Sequence, residues 1–410
     1  MVSIVMLVIM AGCAVYLFLK GTLALGIAMI FNALIGAFVA FGFHEMLATY
    51  LVKYSPGIAL WAPMICFLLL FVLVFAILQA AAMQIGKEKI DFGKLPEQIG
   101  RPAAGVLLGY IVTGCLLVAL AMAPLPSQYP YARFEGNNPN PSSPNKALLS
   151  PDGFVTGLFN TVSAGSFSPI GEPKSFAILH AGFIDQLHLN RRGKDVSLKT
   201  DTQAIDVPGK DGVWEAPENL RDSENKPVAS QPGKNLMLVR MEIRKSALKD
   251  AAKFTLSQVR LVCGPKTTAG PLAGKGEAVY PIGYIGNGGR LETKSLGEVI
   301  SIDPKTAGDK VAMDLAFHVP ATLTPVLIEF KRNNVLKVSS PAEAEDAPQP
   351  VPFGSPAPQP KPQAEEQSEE PRAQQPAENG QDSPAPNRQK RGRGLSDISR
   401  SVTGDVGEEN

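Results

Sequence analysis

IALWAPMICFLLLFVLVFAILQAAAM, residues 58–83, contains no Asp, Glu, Lys or Arg. As a helix it would rise about 39 Å at 1.5 Å per residue, enough to cross a hydrocarbon layer of about 30 Å. A soluble helix would return to a polar residue every third or fourth position along its solvent face, and this stretch does not. Three more stretches share its character: Val2–Leu19, Leu23–Phe43 and Ala103–Ala123. Charged residues fall between the four, at Lys20, at Glu45 and Lys53, and from Lys87 to Arg101. The reading is a membrane all-α unit of four transmembrane helices over residues 1–123.

The chain has 410 residues, room for such a unit and one further domain. Its net charge of +1 gives no field that would draw nucleic acid, so none is expected as a partner. Cys13, Cys66 and Cys115 lie in apolar stretches and Cys263 stands alone beyond them. A single cysteine makes no disulfide scaffold, and Cys263 reads as a buried strand residue. Met10-Ala11-Gly12-Cys13 has the look of a lipobox, but no basic residue precedes the apolar run, which continues past Cys13. A retained first span is therefore expected.

Basic residues orient the spans. The first and third loops carry Lys20, Lys87, Lys89, Lys94 and Arg101, and the opposite side carries Lys53 and Arg133. This places the first and third loops in the cytoplasm and both termini outside. Close packing of helices in lipid needs small residues. Gly105 and Gly109 are four apart in the fourth span, and Gly36 and Ala40 in the second; these four are the expected helix-packing positions. Asn32, mid-span in the second helix, is the expected intramembrane polar group and wants a partner on another helix.

Over residues 1–125 this pattern resembles the colicin V production protein (CvpA) family. Lys20-Gly21 follows the first span, and Ile99-Gly100-Arg101 precedes Gly105 and Gly109. The chain departs from the family at Tyr110–Gly114, where it has no basic residue. The resemblance implies a bacterial inner-membrane protein with an accessory or scaffolding role in toxin production or export, or in cell-envelope homeostasis. Its partners would be the lipid bilayer and other membrane or envelope proteins, with a homo-oligomer as one form of assembly.

Beyond the spans, Pro and Asn from Pro124 to Pro151 break any regular period. Phe154, Val155, Leu158, Phe159 and Val162 then mark an amphipathic helix with Asp152 as its cap, and Phe176, Leu179, Phe183 and Leu187 mark a second that Gly193 ends. From Asn235 the period becomes two. Met237, Val239, Met241 and Ile243 alternate with Leu238, Arg240, Glu242 and Arg244, and a similar alternation runs from Val311 to Val319 and around Glu329. Each predicts a strand with one buried face. A slip of parity between Leu256 and Val259 suggests a bulge, and Gly286-Asn287-Gly288-Gly289 a hairpin turn. Strands without intervening helices favour a mainly-β sandwich of immunoglobulin-like kind. The expected plan is spans over 1–123, a linker over 124–151, a helical or irregular segment over 152–234, a sandwich over 235–338 and a disordered, Pro/Glu/Gln-rich tail over 339–410. Within that tail Arg388-Gln389-Lys390-Arg391-Gly392-Arg393 is a short basic run, read as a solvated block, with docking to anionic lipid, cell-wall polymer or a partner as the alternative.

No catalytic, cofactor or metal motif stands out, and no enzyme activity is expected. His180, Asp185 and His188 come nearest to a metal set, but the histidines are spaced too far apart for the i, i+4 ligation of a zinc helix. His318 should point away from the sandwich core. Ser163-Ala164-Gly165-Ser166 lacks the Gly-x-Ser-x-Gly elbow, and no phosphate-binding Gly-rich loop is present. The absence of Asp, Glu, Lys or Arg deep in a span argues against a pump. A small channel or transporter subunit is the alternative to a scaffold.

Overall fold

The computed structural model describes residues 2–85, 92–136, 138–165, 175–209, 212–266, 274–304, 308–343 and 347–357. Lys87, Lys89, Ser166, the basic run Arg388–Arg393 and the greater part of the expected tail lie outside the described residues.

Among the described residues four helices, α1 (Val2–Lys20), α2 (Leu23–Tyr54), α3 (Ala62–Ile85) and α4 (Lys94–Met122), are long and apolar enough to cross a membrane. Thr22 caps α2 by accepting a hydrogen bond from the Leu25 amide at 3.2 Å. At 32 residues α2 outruns its apolar stretch, so His44, Glu45 and Lys53 ride on the helix itself rather than on a loop.

The small residues set how the spans meet. A Cβ at Gly105 would stand 2.5 Å from the Cα of Ala14, and one at Gly109 2.6 Å from the Cα of Met10. The Gly105/Gly109 stripe is thus filled by α1 of the same chain, which removes it as a surface for a second copy. Gly36 lies against α3, with an added Cβ 3.2 Å from the Phe71 carbonyl oxygen, and Ala40 is buried in the cluster holding Phe41, Phe67 and Leu108.

Three shorter helices follow: α5 (Pro151–Ala164), α6 (Phe176–Leu179) and α7 (Phe183–Leu189). Ser150, not Asp152, occupies the cap position of α5; Asp152 lies buried in the first turn, where its charge suits the helix dipole. The second amphipathic helix expected over 176–193 is split in two. His180 ends α6, and Gly182, at φ +64°, starts α7 with a left-handed turn that favours glycine.

The described residues also form twelve strands: β1 (Ile205–Asp206), β2 (Val213–Glu215), β3 (Lys234–Arg244), β4 (Lys253–Thr255), β5 (Val259–Pro265), β6 (Glu277–Val279), β7 (Gly283–Ile285), β8 (Leu291–Thr293), β9 (Val299–Ser301), β10 (Lys310–Pro320), β11 (Leu323–Phe330) and β12 (Asn334–Lys337). All named pairings are antiparallel. One sheet runs β1-β3-β10-β7-β8, with β2 also on β3; a second runs β12-β11-β5-β6; β4 pairs with β9. Met237, Val239, Met241 and Ile243 of β3 and Val311 to Val319 of β10 meet Val259, Leu261, Ile328 and Phe330 of the second sheet in one core. Cys263 lies in that core, where burial pushes its thiol up to about 12. The hairpin at Gly286–Gly289 joins β7 to β8, with Gly288 and Gly289 at φ +74° and +71°.

Three expectations change. The parity slip near Leu256 is a 3-10 turn, Leu256–Gln258, where the chain leaves the β4–β9 pair for the second sheet; the irregularity in register falls in β11, between Pro325 and Leu327. The outer faces of the sheets are covered rather than solvated. On the first, Trp214, Leu220, Leu236, Leu238 and Ile285 form a second apolar layer. On the other, Ile178 and Ala181 pack on Val262, Val326 and Leu327. The described residues 347–357 also depart from a loose tail. The amide of Val351 donates to Asp314 at 2.7 Å, and that of Phe353 to the Ile285 carbonyl at 2.8 Å, so this segment straps across the first sheet.

Candidate functional site where the spans meet the strand-rich domain

Helices α5 and α7, in the part of the chain expected to be helical or irregular, contribute to the core of the four-helix unit. Val155, Phe159, Phe183 and Leu187 share one buried cluster with Phe41, Phe67, Phe71, Leu108 and Cys115 of the spans. Phe159 stacks on Phe41 at 5.0 Å, and Phe176 meets Phe159 edge-on at 4.8 Å.

Among these rings sits a polar clasp. His44, fully buried on α2, has Nδ1 3.1 Å from the Ala40 carbonyl oxygen and 3.2 Å from that of Phe41. Its Nε2 lies 3.9 Å from Glu45, whose other carboxylate oxygen lies 3.3 Å from Nε2 of His180 at the end of α6. The His180 ring is flanked by Phe176 at 4.6 Å and Phe183 at 5.2 Å. A half-exposed span carboxylate thus reaches the imidazole of the following segment, whose ring lies against two aromatic rings.

Cations frame the clasp. Lys199 donates to the Ala59 carbonyl at 2.9 Å, tying the turn between α2 and α3. Burial, with Arg332 nearby, holds its amine down to about 8. Arg191 donates to the carbonyls of Tyr129 at 2.8 Å, Leu187 at 3.1 Å and Leu125 at 3.3 Å, which secures the chain as it leaves α4. Burial and then Arg332 lower its pKa to about 10.

The trio expected as the nearest metal set is dispersed. His180 turns to Glu45. Asp185 pairs with Arg133, whose guanidinium also donates to the Tyr131 hydroxyl at 2.9 Å, and Tyr131 in turn donates to Asp152. Burial raises the Asp185 pKa against the opposing pull of Arg133. His188 is buried beside the Tyr131 ring, with Nδ1 3.4 Å from the Ser127 carbonyl oxygen; burial first, then Arg191 and Arg133, hold it down to about 3, so it is neutral at physiological pH. Among the described residues no three His, Cys, Asp or Glu side chains gather as for a metal ion. His318 is half-buried on the outer face of β10, while Phe317 and Val319 enter the core.

The Asn32 amide donates to Oε1 of Gln79 on α3 at 3.1 Å, both side chains buried. Gln79 and His44 escaped the sequence reading. Each is a single polar residue at an apolar boundary or inside an apolar run, and a lone residue leaves no period to detect.

No protein family model matches the chain, no curated protein matches it, and no solved structure matches it.

Proposed function

We propose that this chain is a non-enzymatic, multi-pass scaffold of the bacterial inner membrane, in which the four spans hold the strand-rich domain in a fixed pose outside the cytoplasm as a binding surface for envelope partners. The observation that carries this reading is the double use of α5–α7. These helices contribute Phe159, Phe183 and Leu187 to the core of the spans, and α6 and α7 also cover the second sheet, where Arg260 donates to the Leu179 carbonyl at 2.8 Å. A domain fixed this way suits presentation and assembly. The immunoglobulin-like character expected of the sandwich, and the accessory role in toxin export or envelope homeostasis implied by the likeness of residues 1–125 to the colicin V production family, agree with such a role.

The test is the full chain purified in mild detergent from its own membranes and, in parallel, reconstituted into liposomes. A scaffold retains membrane or envelope proteins in fixed ratio and adds no solute flux to the lipid. Flux without retained partners overturns it. That outcome would favour the second reading, a small channel or transporter subunit, which draws on the buried and unpartnered Nε2 of Gln79 beside Asn32; there Asn32→Leu should abolish the flux.

A further inference from the structure

The segment before α5 lies beside the middle of α4, not at its end. The Tyr110 hydroxyl donates to the Leu149 carbonyl at 2.8 Å, and the Tyr110 ring lies 5.3 Å from that of Phe154. One helical turn on, the backbone of Pro151 fills the space a side chain would need at Gly114. Tyr110 precedes the end of α4 at Met122 by twelve residues, about 18 Å at 1.5 Å per residue.

The level can be read against α1. Gly109 abuts Met10, and the apolar run of α1 continues from there to Val2, about 12 Å at helical rise. The turn around Leu149 therefore sits well below the end of a helix whose residues Ile4, Val5, Leu7 and Val8 are all exposed large apolar side chains. Side chains on a helix lean toward its N-terminus, so the Tyr110 ring leans deeper still.

Leu148, Leu149 and Phe154 are 46%, 63% and 43% exposed. They continue the exposed apolar face of α4, where Val106 and Leu107 lie one turn from Tyr110. Irregular backbone at membrane depth survives only with its polar groups engaged. Leu149 and Ser150 are both left-handed, at φ +58° and +47°, a conformation that costs a residue with a side chain. Yet three carbonyls of the turn have partners: Ala147 accepts from the Ser150 amide at 2.9 Å, Ser150 from the Phe154 amide at 2.9 Å, and Leu149 from Tyr110.

We propose that residues 147–154 form a re-entrant membrane element, in which Leu148, Leu149 and Phe154 contact lipid acyl chains beside α4 and the Tyr110 hydroxyl serves as the intramembrane partner of the turn. The inference rests on α1–α4 spanning the bilayer and is independent of the scaffold role.

A nitroxide at position 149 tests it, on Leu149→Cys in the full chain with Cys13, Cys66, Cys115 and Cys263 replaced by alanine, in phosphatidylcholine nanodiscs. Collisions with oxygen should exceed those with a water-soluble nickel chelate, as at a lipid-facing Leu107→Cys reference. Chelate collisions as frequent as at Lys226→Cys overturn the proposal. If Leu107→Cys also meets the chelate, the spans themselves are not in lipid and both readings fall. Leu148→Cys gives the same readout should a label at 149 disturb the fold. Tyr110→Phe should loosen the label at 149, and unchanged mobility would remove the tyrosine from the account.

Discussion

The strand-rich domain carries two buried arginine–carboxylate pairs built alike. Arg240 and Asp314 are direct cross-strand partners on β3 and β10, with nitrogen–oxygen distances of 2.7 and 2.8 Å. Arg260 and Glu329 are direct partners on β5 and β11, at 3.0 and 2.6 Å. What lies over them differs. The first pair is covered by the C-terminal strap, through Gln349 and Val351, with the Trp214 ring 5.1 Å from the guanidinium. The second is covered by α6 and α7, through Leu179, Ala181 and Gln186. One geometry therefore serves two purposes: the strap pair closes the domain on itself, and the helix pair fastens the domain to the membrane unit. Coulomb attraction offsets the desolvation of such pairs only when the remaining donors and acceptors are also engaged, and here the covering segments supply those groups.

The largest expected effect comes from Glu329→Ala, which leaves Arg260 buried without its counter-charge at a cost of about 3–5 kcal/mol. The thermal midpoint in detergent should fall, and limited proteolysis should newly cut the chain between residues 189 and 200, where α7 hands over to the sheets. Cleavage confined to the strap would refute the division of labour. Replacing both partners by apolar residues, Arg260→Met with Glu329→Leu, should recover much of the loss. Asp314→Ala should cost a similar amount, up to about 5 kcal/mol, but free residues 347–357 for proteolysis while the joint stays protected.

A smaller effect belongs to His188, on the same joint. Its folded pKa, about 3, lies below its ordinary value of 6.5, so the unfolded chain binds the extra proton. Its neutral, buried state is fully favourable above about pH 6.5, and stability is lost as pH falls from there toward 3. His188→Gln should therefore flatten the decline of thermal midpoint between pH 6.5 and 4, by at most about 1.4 kcal/mol per pH unit; a parallel decline in both proteins would assign the acid sensitivity elsewhere. The smallest change is Asn32→Leu. It removes one interhelical hydrogen bond, worth about 0.6 kcal/mol on average in membrane helices, and should shift the midpoint slightly without opening either joint or strap.

Much of the fold could be read from residues alone, because it rests on periodic features. The four apolar runs have the length of spans. Val239, Leu315 and Ile328 fall on inward positions of a two-residue period, and the glycines at 286–289 meet a turn that needs positive φ. What escaped is what covers the outer faces. Alternation separates Arg240 from Val239 but does not reveal what lies over Arg240, and its cover at Gln349 is 109 residues away. A still longer separation in sequence hid the link between Glu45 and His180. Nor does composition tell a loose segment from a strap: residues 347–357 are rich in proline, yet they find backbone partners along β10, where the Ala312 amide donates to the Ser355 carbonyl at 3.0 Å. At the candidate site, His44 and Glu45 lie at the end of an apolar run, and which residue of the later segment meets them is a matter of tertiary register that no local period encodes.

Helices α5–α7 weld the strand-rich domain to the spans. Pulsed electron–electron distance measurement on Lys53→Cys/Lys337→Cys, spin-labelled in the cysteine-replaced full chain in nanodiscs, tests that weld most directly. A welded domain gives one narrow distance distribution that broadens in Glu329→Ala; a broad distribution already present before that substitution would show the domain swinging free of the spans.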